Sequence, residues 1–234
     1  MKELNDLDII YEDNHVIVIN KKPSQIVQGD KTGDETLPDL IKAYLKEKYQ
    51  KPGNVFCGVV HRLDRPTSGV VVFARTSKAL ERLNKQFQEK QTSKTYWAVV
   101  DNKPRKSVET LEDYLRKNEK QNKSYVCQAI DSGAKKAILT YRHLMDSETY
   151  SLLEIQLETG RHHQIRCQLS SIGCFIKGDL KYGAKRPNND GSISLHARSL
   201  AFTHPTTKEN LNFTAKVPEK DALWQFFEKH IQNH

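Results

Sequence analysis

Three short stretches of this 234-residue chain concentrate side chains able to do chemistry. The densest is His61-Arg62-Leu63-Asp64-Arg65-Pro66-Thr67-Ser68-Gly69. A carboxylate flanked by two arginines has its charged form favoured, and Pro66 and Gly69 bracket a tight loop able to fix Asp64 rigidly. An ionised carboxylate held in place is what nucleophilic attack or proton abstraction requires. The bland counterpart is a salt-bridged turn at the start of a strand. The second stretch is Glu158-Thr159-Gly160-Arg161-His162-His163-Gln164-Ile165-Arg166. Here a helix that opens on arginines is a natural anion site, against the alternative of a solvated basic helix. Arg161 and Arg166 are five residues apart and project in different directions, so at most one meets a given carboxylate. The third is Lys94-Thr95-Tyr96, where a tyrosine at a strand start is by itself more often core than catalytic.

Two further combinations do not hold together. His163, Cys167 and Cys174 share a helical face and suggest zinc. The helix is expected to end near Gly173, however, and no fourth ligand follows at conventional spacing, so no metal is expected. Ser68, His61 and Asp64 contain the residue types of a hydrolytic triad. No G-x-S-x-G elbow accompanies them, and near neighbours in sequence rarely supply triad geometry.

The elements that must carry these stretches are read from periodicity. Ile9–Tyr11 and Val16–Ile19 form a hairpin ended by Lys21-Lys22-Pro23, and residues 24–36 read as loop. Leu37–Tyr49 is a helix with Leu37, Leu40, Ile41, Tyr44 and Leu45 on one stripe. Gly69–Ala74 is a continuous apolar strand, expected to be buried on both faces. A helix capped at Thr76-Ser77 runs to about Lys90 with Leu80, Leu83 and Phe87 inward. Tyr96–Val100, Ala137–His143, Ser151–Glu158, and segments near 194–203 and 210–215 are strands. Residues 101–134 read as the least ordered part, with the charged run 116–123 as an exposed hairpin tip. A helix over Arg161–Ile172 turns Ile165, Leu169 and Ile172 inward, 183–192 is a loop, and a closing helix buries Leu223, Phe226, Phe227 and Ile231. Strands following one another with few helices between them favour an α+β fold: a mixed, largely antiparallel sheet flanked by helices, in one continuous domain over 1–234.

Composition narrows the function classes. The 37 basic and 29 acidic residues give a formal charge of +8, which suits a polyanionic partner, nucleic acid before membrane. No apolar run approaches the ~20 residues of a membrane span. No secretory signal is visible in the first ten residues, and the four cysteines form no C-x-x-C pair, so a reduced, cytoplasmic protein is expected.

Taken together, the stretches resemble the RluA-type family of pseudouridine synthases. HRLDRPTSG over 61–69 matches the family's motif around its catalytic aspartate, Lys94-Thr95-Tyr96 resembles its K-x-Y motif, and TGRHHQIR over 159–166 matches T-G-R-x-H-Q-I-R. Gly178-Asp179 with Tyr182-Gly183, and Leu195-His196-Ala197 through His204-Pro205, match two more patterns in order, so that the likeness spans roughly residues 8–230. Many relatives carry a small alpha-L RNA-binding domain ahead of the catalytic one. This chain begins almost directly at the catalytic part, so that domain is expected to be missing. Cys167-Gln168-Leu169 also departs from the Val-His-Leu-like segment common in relatives.

The resemblance implies an isomerase of the pseudouridine synthase fold that converts uridine in RNA to pseudouridine, without cofactor or metal. It implies that Asp64 is the essential carboxylate, attacking the anomeric carbon or taking the ribose 2′ proton. Arg166 would pair with Asp64, and Tyr96 would stack on the uracil and assist the proton leaving carbon 5. Arg62 would fill the gap left by the flipped nucleotide. His61, Arg65, Arg161 and the tip lysines Lys117, Lys120 and Lys123 are expected to contact RNA. A monomer acting on a stem-loop of ribosomal RNA, or secondly transfer RNA, is the expectation. The alternative is an inactive RNA-binding or ribosome-assembly factor of the same fold. Such a relative should have lost Asp64, Tyr96 or Arg166, and all three are present.

Overall fold

A computed structural model describes residues 7–29 and 33–232 of the chain; the parts of the expected N-terminal segment and of the loop 24–36 that fall on residues 1–6 and 30–32 lie outside them. In chain order the strands and helices are β1 (Ile9–Glu12), β2 (Val16–Lys21), α1 (Leu37–Lys48), β3 (Gly58–Val59), β4 (Ser68–Ala74), α2 (Ser77–Gln88) and β5 (Ser93–Val100). They continue with β6 (Val108–Asn118), β7 (Lys123–Cys127), β8 (Lys135–Asp146), β9 (Ser151–Leu157), α3 (Gln164–Ser171), β10 (Leu195–Thr203), β11 (Asn210–Thr214) and α4 (Ala222–Gln232). The chain divides into two compact units. The first runs to Lys94 and adds Ala197–Pro218; the second is Thr95–His196 with the residues from Glu219 onward.

The first unit is a sheet in the order β1-β2-β4-β10, with β3 also on β4 and β11 on β10. Its centre follows from sequence: β4 (SGVVVFA) offers apolar side chains to both faces, and all seven residues are buried. β2 runs antiparallel to it with Val16 opposite Ala74 and Lys21 opposite Gly69. α1 begins where Thr36 accepts a hydrogen bond from the Asp39 N–H, with Pro38 in its first turn. It packs Leu37, Ile41 and Leu45 on Ile17, Ile19, Val71 and Phe73. Each such side chain, fully buried, contributes about 1.5–3 kcal/mol. α2 starts at Thr76, whose side chain caps the Ala79 N–H at 3.1 Å.

The second unit is a sheet in the order β5-β9-β8-β6-β7. Its neighbouring strands pair antiparallel, Tyr96 opposite Ile155 and Leu139 opposite both Leu111 and Leu157. The architecture is therefore the mostly antiparallel sheet with helices expected from the sequence. Among the described residues no helix is long and apolar enough to cross a membrane.

Four local expectations need correction. Residues 108–127 are not the least ordered part: β6 and β7 form a long hairpin whose turn is Glu119–Asn122. The exposed tip expected at 116–123 is its turn, but polar composition hid the length of its strands, because β6 alternates charged residues with only two buried ones, Leu111 and Leu115. α3 begins at Gln164, three residues later than expected, because His163 sits in the left-handed region at φ 52° and cannot continue a right-handed helix from Arg161. Ile172 follows the helix end and is exposed. In α4 the buried aromatics are Trp224 and Phe227, whereas Phe226 is exposed. The three-residue spacing puts Trp224 and Phe227 on one face and carries Phe226 around the helix.

Gly69 is the tightest point of the first sheet. Its φ is +116°, and a Cβ there would lie 2.3 Å from the backbone oxygen of Ala197 in β10. Gly69→Ala must therefore both strain the backbone and push two strands apart, a loss of at least about 2 kcal/mol in stability. Urea unfolding should show a lower midpoint with unchanged slope. A stability within ~0.5 kcal/mol of wild type, the range of a neutral surface change, would mean that β10 does not approach so closely.

Candidate active site

Asp64 stands in the first unit at the head of a turn closed by the Thr67 N–H donating to the Asp64 carbonyl at 3.0 Å. Its side chain is half-buried. What fixes the turn is a residue whose sequence position marks only the end of a hairpin. Lys21, opposite Gly69 in the sheet, has no exposed surface. Its Nζ donates to the carbonyls of Thr67 at 2.6 Å, Arg65 at 3.0 Å and Lys22 at 3.1 Å. Ser24 adds its N–H to the Arg65 carbonyl at 3.0 Å. Burial pushes the Lys21 pKa down to about 7, with Asp64 drawing it back up and Arg65 adding to the fall. The three carbonyls match the three donors of an ammonium group. The only sequence signal for Lys21 was its place between a buried strand and Pro23.

Around the turn, Arg62 is exposed and hydrogen-bonds the Gln28 side chain. Arg65 is exposed and pairs with Asp34 at 2.7 Å. His61 keeps some exposed surface, but its ring stacks on Phe87 at 4.8 Å and its Nε2 accepts the Val72 N–H at 3.2 Å. That bond requires a neutral ring, in line with a pKa pushed down to about 3 by burial and by the charge of Lys94. His61 therefore offers an RNA backbone no cation.

The second unit carries Tyr96 and Arg166. Tyr96 is 8% exposed on β5, opposite Ile155. The TGRHHQIR segment is a loop that locks itself onto β8. Thr159 accepts the Ile138 N–H at 2.9 Å and donates to Gln164 at 2.7 Å. Gln164 in turn donates to the Ile138 carbonyl at 3.0 Å and accepts the Arg161 N–H at 2.9 Å. Arg161 itself reaches the Lys136 carbonyl at 2.8 Å from an exposed position. Arg166 is buried in the first turn of α3 and makes a two-pronged pair with Asp179, Nε to Oδ2 at 2.6 Å and Nη2 to Oδ1 at 2.8 Å. The Tyr182 ring lies 5.0 Å from the guanidinium carbon.

Tyr182 also joins this loop to the β6–β7 hairpin. Its hydroxyl accepts the Ser124 N–H at 2.8 Å and lies 3.0 Å from His163 Nδ1, to which it is left to donate. His163 is then an acceptor at Nδ1 and neutral, and its pKa is lowered by burial first and by Arg166 second. Of the tip lysines, Lys117 pairs with Glu119 at 2.6 Å, Lys120 is exposed, and Lys123 lies over the rings of Tyr125 and Tyr182. The suggested zinc trio is put to other uses. His163 meets the Tyr182 hydroxyl, the Cys167 thiol lies 3.3 Å from the Ser124 carbonyl, and burial pushes the thiols of Cys167 and Cys174 up to about 11. Among the described residues no group of three or more His, Cys, Asp or Glu side chains is placed to hold a metal ion.

A family model described as RNA pseudouridylate synthase matches residues 15–171. An uncharacterized RNA pseudouridine synthase of Bacillus subtilis is 34% identical over 225 residues, covering 95% of this chain and 73% of the relative. The ribosomal large subunit pseudouridine synthase D of Zymomonas mobilis is 32% identical over 227 residues, covering 93% and 71%. Among solved structures, human RNA pseudouridylate synthase domain containing 4 superposes with a TM-score of 0.76 at 25% identity, covering 90% of this chain and 88% of that one.

Lys21 gives a pH test. An unfolded lysine titrates near ~10.4 and the folded one near 7, so between these values the unfolded chain holds a proton that the folded chain has released. Stability then rises with pH through that window, as the penalty on a buried charge is relieved. Unfolding measured from pH 7 to 10 should show wild type gaining stability relative to Lys21→Met as pH increases. Parallel curves for the two proteins would contradict a depressed lysine.

Proposed function

Because the chain belongs to the RNA pseudouridylate synthase family, we propose that Asp64 is the essential carboxylate of its reaction and that a uridine in large-subunit ribosomal RNA is its substrate. The activity itself is that of an RNA pseudouridine synthase, an isomerase. The reaction breaks the bond from ribose carbon 1′ to ring nitrogen 1, turns the uracil and joins carbon 1′ to ring carbon 5. Carbon 5 gives up a proton and nitrogen 1 ends with one, so composition and oxidation state are unchanged. Bond breaking leaves positive charge on the sugar, and a fixed anion beside it is worth most where water is scarce.

The observation that carries the assignment of Asp64 is the way its turn is built. A buried ammonium binds three backbone carbonyls around it and a glycine lets a neighbouring strand close on it. Such construction holds a reacting group in one geometry. Tyr96, largely buried with its ring on a strand, is assigned to stack on the uracil, and Arg166 to the catalytic machinery on the strength of its motif. Arg62, exposed at the turn, is assigned to the gap left when the nucleotide is flipped out, since a stacked base is out of reach.

Ribosomal RNA is favoured by the relative named for the ribosomal large subunit and by a +8 chain whose β6–β7 tip projects lysines. The surface pair of Lys117 with Glu119 is weak enough for phosphate to displace. Replacing Lys117, Lys120 and Lys123 together with glutamine should weaken RNA binding. It should also flatten the plot of log affinity against log salt by about 2 units, at ~0.7–0.9 per phosphate lost. An unchanged slope would make the tip a solvated turn. For the chemistry, Asp64→Asn is nearly isosteric and removes only the charge. It should bind RNA as wild type does and release no tritium from ribosomal RNA labelled at uracil carbon 5, followed in single turnover. Release at more than about a hundredth of the wild-type rate would remove Asp64 from the essential role, since covalent or basic catalysts are worth at least that much.

A further inference from the structure

Arg166 occupies a position that electrostatics disfavours. It lies in the first turn of α3, an end that carries partial positive charge, and no acidic residue stands in that turn. It is also buried, with 6% of its side chain exposed. A guanidinium in that setting needs an anion, and Asp179, itself 1% exposed, meets it with both oxygens. Bonds from Nε and Nη2 to one carboxylate fix both the plane and the rotation of the group, which a single bond would not. The ring of Tyr182 then covers one face.

Asp179 is in turn held by its backbone. Its N–H donates to the Ile176 carbonyl at 3.0 Å, and its carbonyl accepts the N–H groups of Tyr182 at 3.0 Å and Ala184 at 3.1 Å. The preceding Gly178 has φ +87°, and a Cβ there would lie 2.7 Å from the Ser192 carbonyl oxygen. The Gly178-Asp179…Tyr182 segment is thus a built mount that presents one carboxylate and one ring to one arginine.

We propose that Asp179 is a positioning residue for the isomerisation, acting on the reaction only by fixing the guanidinium of Arg166. The proposal rests on the reading of Arg166 as part of the catalytic machinery. Asparagine at 179 keeps the shape but turns an N–H₂ toward one of the guanidinium donors, so one bond of the pair is lost and the plane is released. A misplacement of this kind costs on the order of 10²-fold in rate, while RNA affinity, set by phosphate contacts elsewhere, stays within about twofold.

The test is a double-mutant cycle in single-turnover tritium release, with RNA affinity and thermal unfolding measured on each variant. Asp179→Asn should lose about 10²-fold in turnover with little change in RNA affinity, and Arg166→Gln should lose at least as much. The double variant should be no slower than Arg166→Gln alone, because Asp179 has nothing left to position. Should Asp179→Asn fail to fold, the double variant, which buries neither charge, still provides the comparison with Arg166→Gln. Turnover of Asp179→Asn near wild type, a loss confined to RNA affinity, or a double variant slower than Arg166→Gln by more than about twofold would each overturn the proposal. Wild-type turnover by Arg166→Gln is a different failure: it would remove the arginine from the machinery, and the positioning role with it.

Discussion

A charge taken out of water has to be met inside the protein, and each unit holds such a charge beside a loop of its candidate-site residues. In the first it is the amino group of Lys21, an ammonium below about pH 7, bonded to three backbone carbonyls and set against the turn that carries Asp64. In the second it is the guanidinium of Arg166, satisfied by Asp179. Leaving either without partners would cost several kcal/mol. The loops that supply those partners are therefore not free to wander, although neither is a regular element. The sheets anchor the neighbouring segments, through the β2–β4 register that places Lys21 opposite Gly69 and through Ile138 of β8, on which Thr159 and Gln164 ahead of Arg166 fasten. The buried charges then set their interiors.

Rigidity of this kind suits an isomerisation that needs no external reactant. An enzyme that rejoins the same two fragments has to keep the sugar and the turning base in one place, and positioning of the reacting groups can supply a large part of the barrier reduction. Other cationic side chains, at the β6–β7 turn and on the exposed arginines, reach the surface. There they can follow the path of a backbone without specifying its sequence. Tyr182 links these two kinds of surface within the second unit, since the same hydroxyl holds Ser124 of the hairpin and His163 beside α3.

Much of this was legible in the sequence where one physical signal dominated. The apolar run of β4, the stripe of α1 and the threonine cap of α2 are local signals, and each element lies where they put it. Asp64, Tyr96 and Arg166 stood out through motif resemblance rather than through any property of the isolated residues. What stayed hidden depends on tertiary contacts. The tip of the β6–β7 hairpin is legible from its charge run, but its strands bury few side chains and read as polar loop. The left-handed His163 leaves no mark in composition, so periodicity alone starts the helix too early. Lys21 looked like a hairpin end, and its burial is visible only once the turn at 64–67 folds over it. Asp179 stood in a recognised pattern without a role, because its partner is thirteen residues away and across a turn.

The proposed conversion of a uridine of ribosomal RNA through the carboxylate of Asp64 can be tested in cells. The most direct measurement is nucleotide-resolution pseudouridine mapping of total RNA from host cells with the gene intact, deleted, and replaced by a copy encoding Asp64→Asn. At least one uridine of the large-subunit ribosomal RNA should be converted with the intact gene, unconverted after deletion, and unconverted with the aspartate replaced. A pseudouridine map unchanged by deletion, or restored by the asparagine copy, would contradict it.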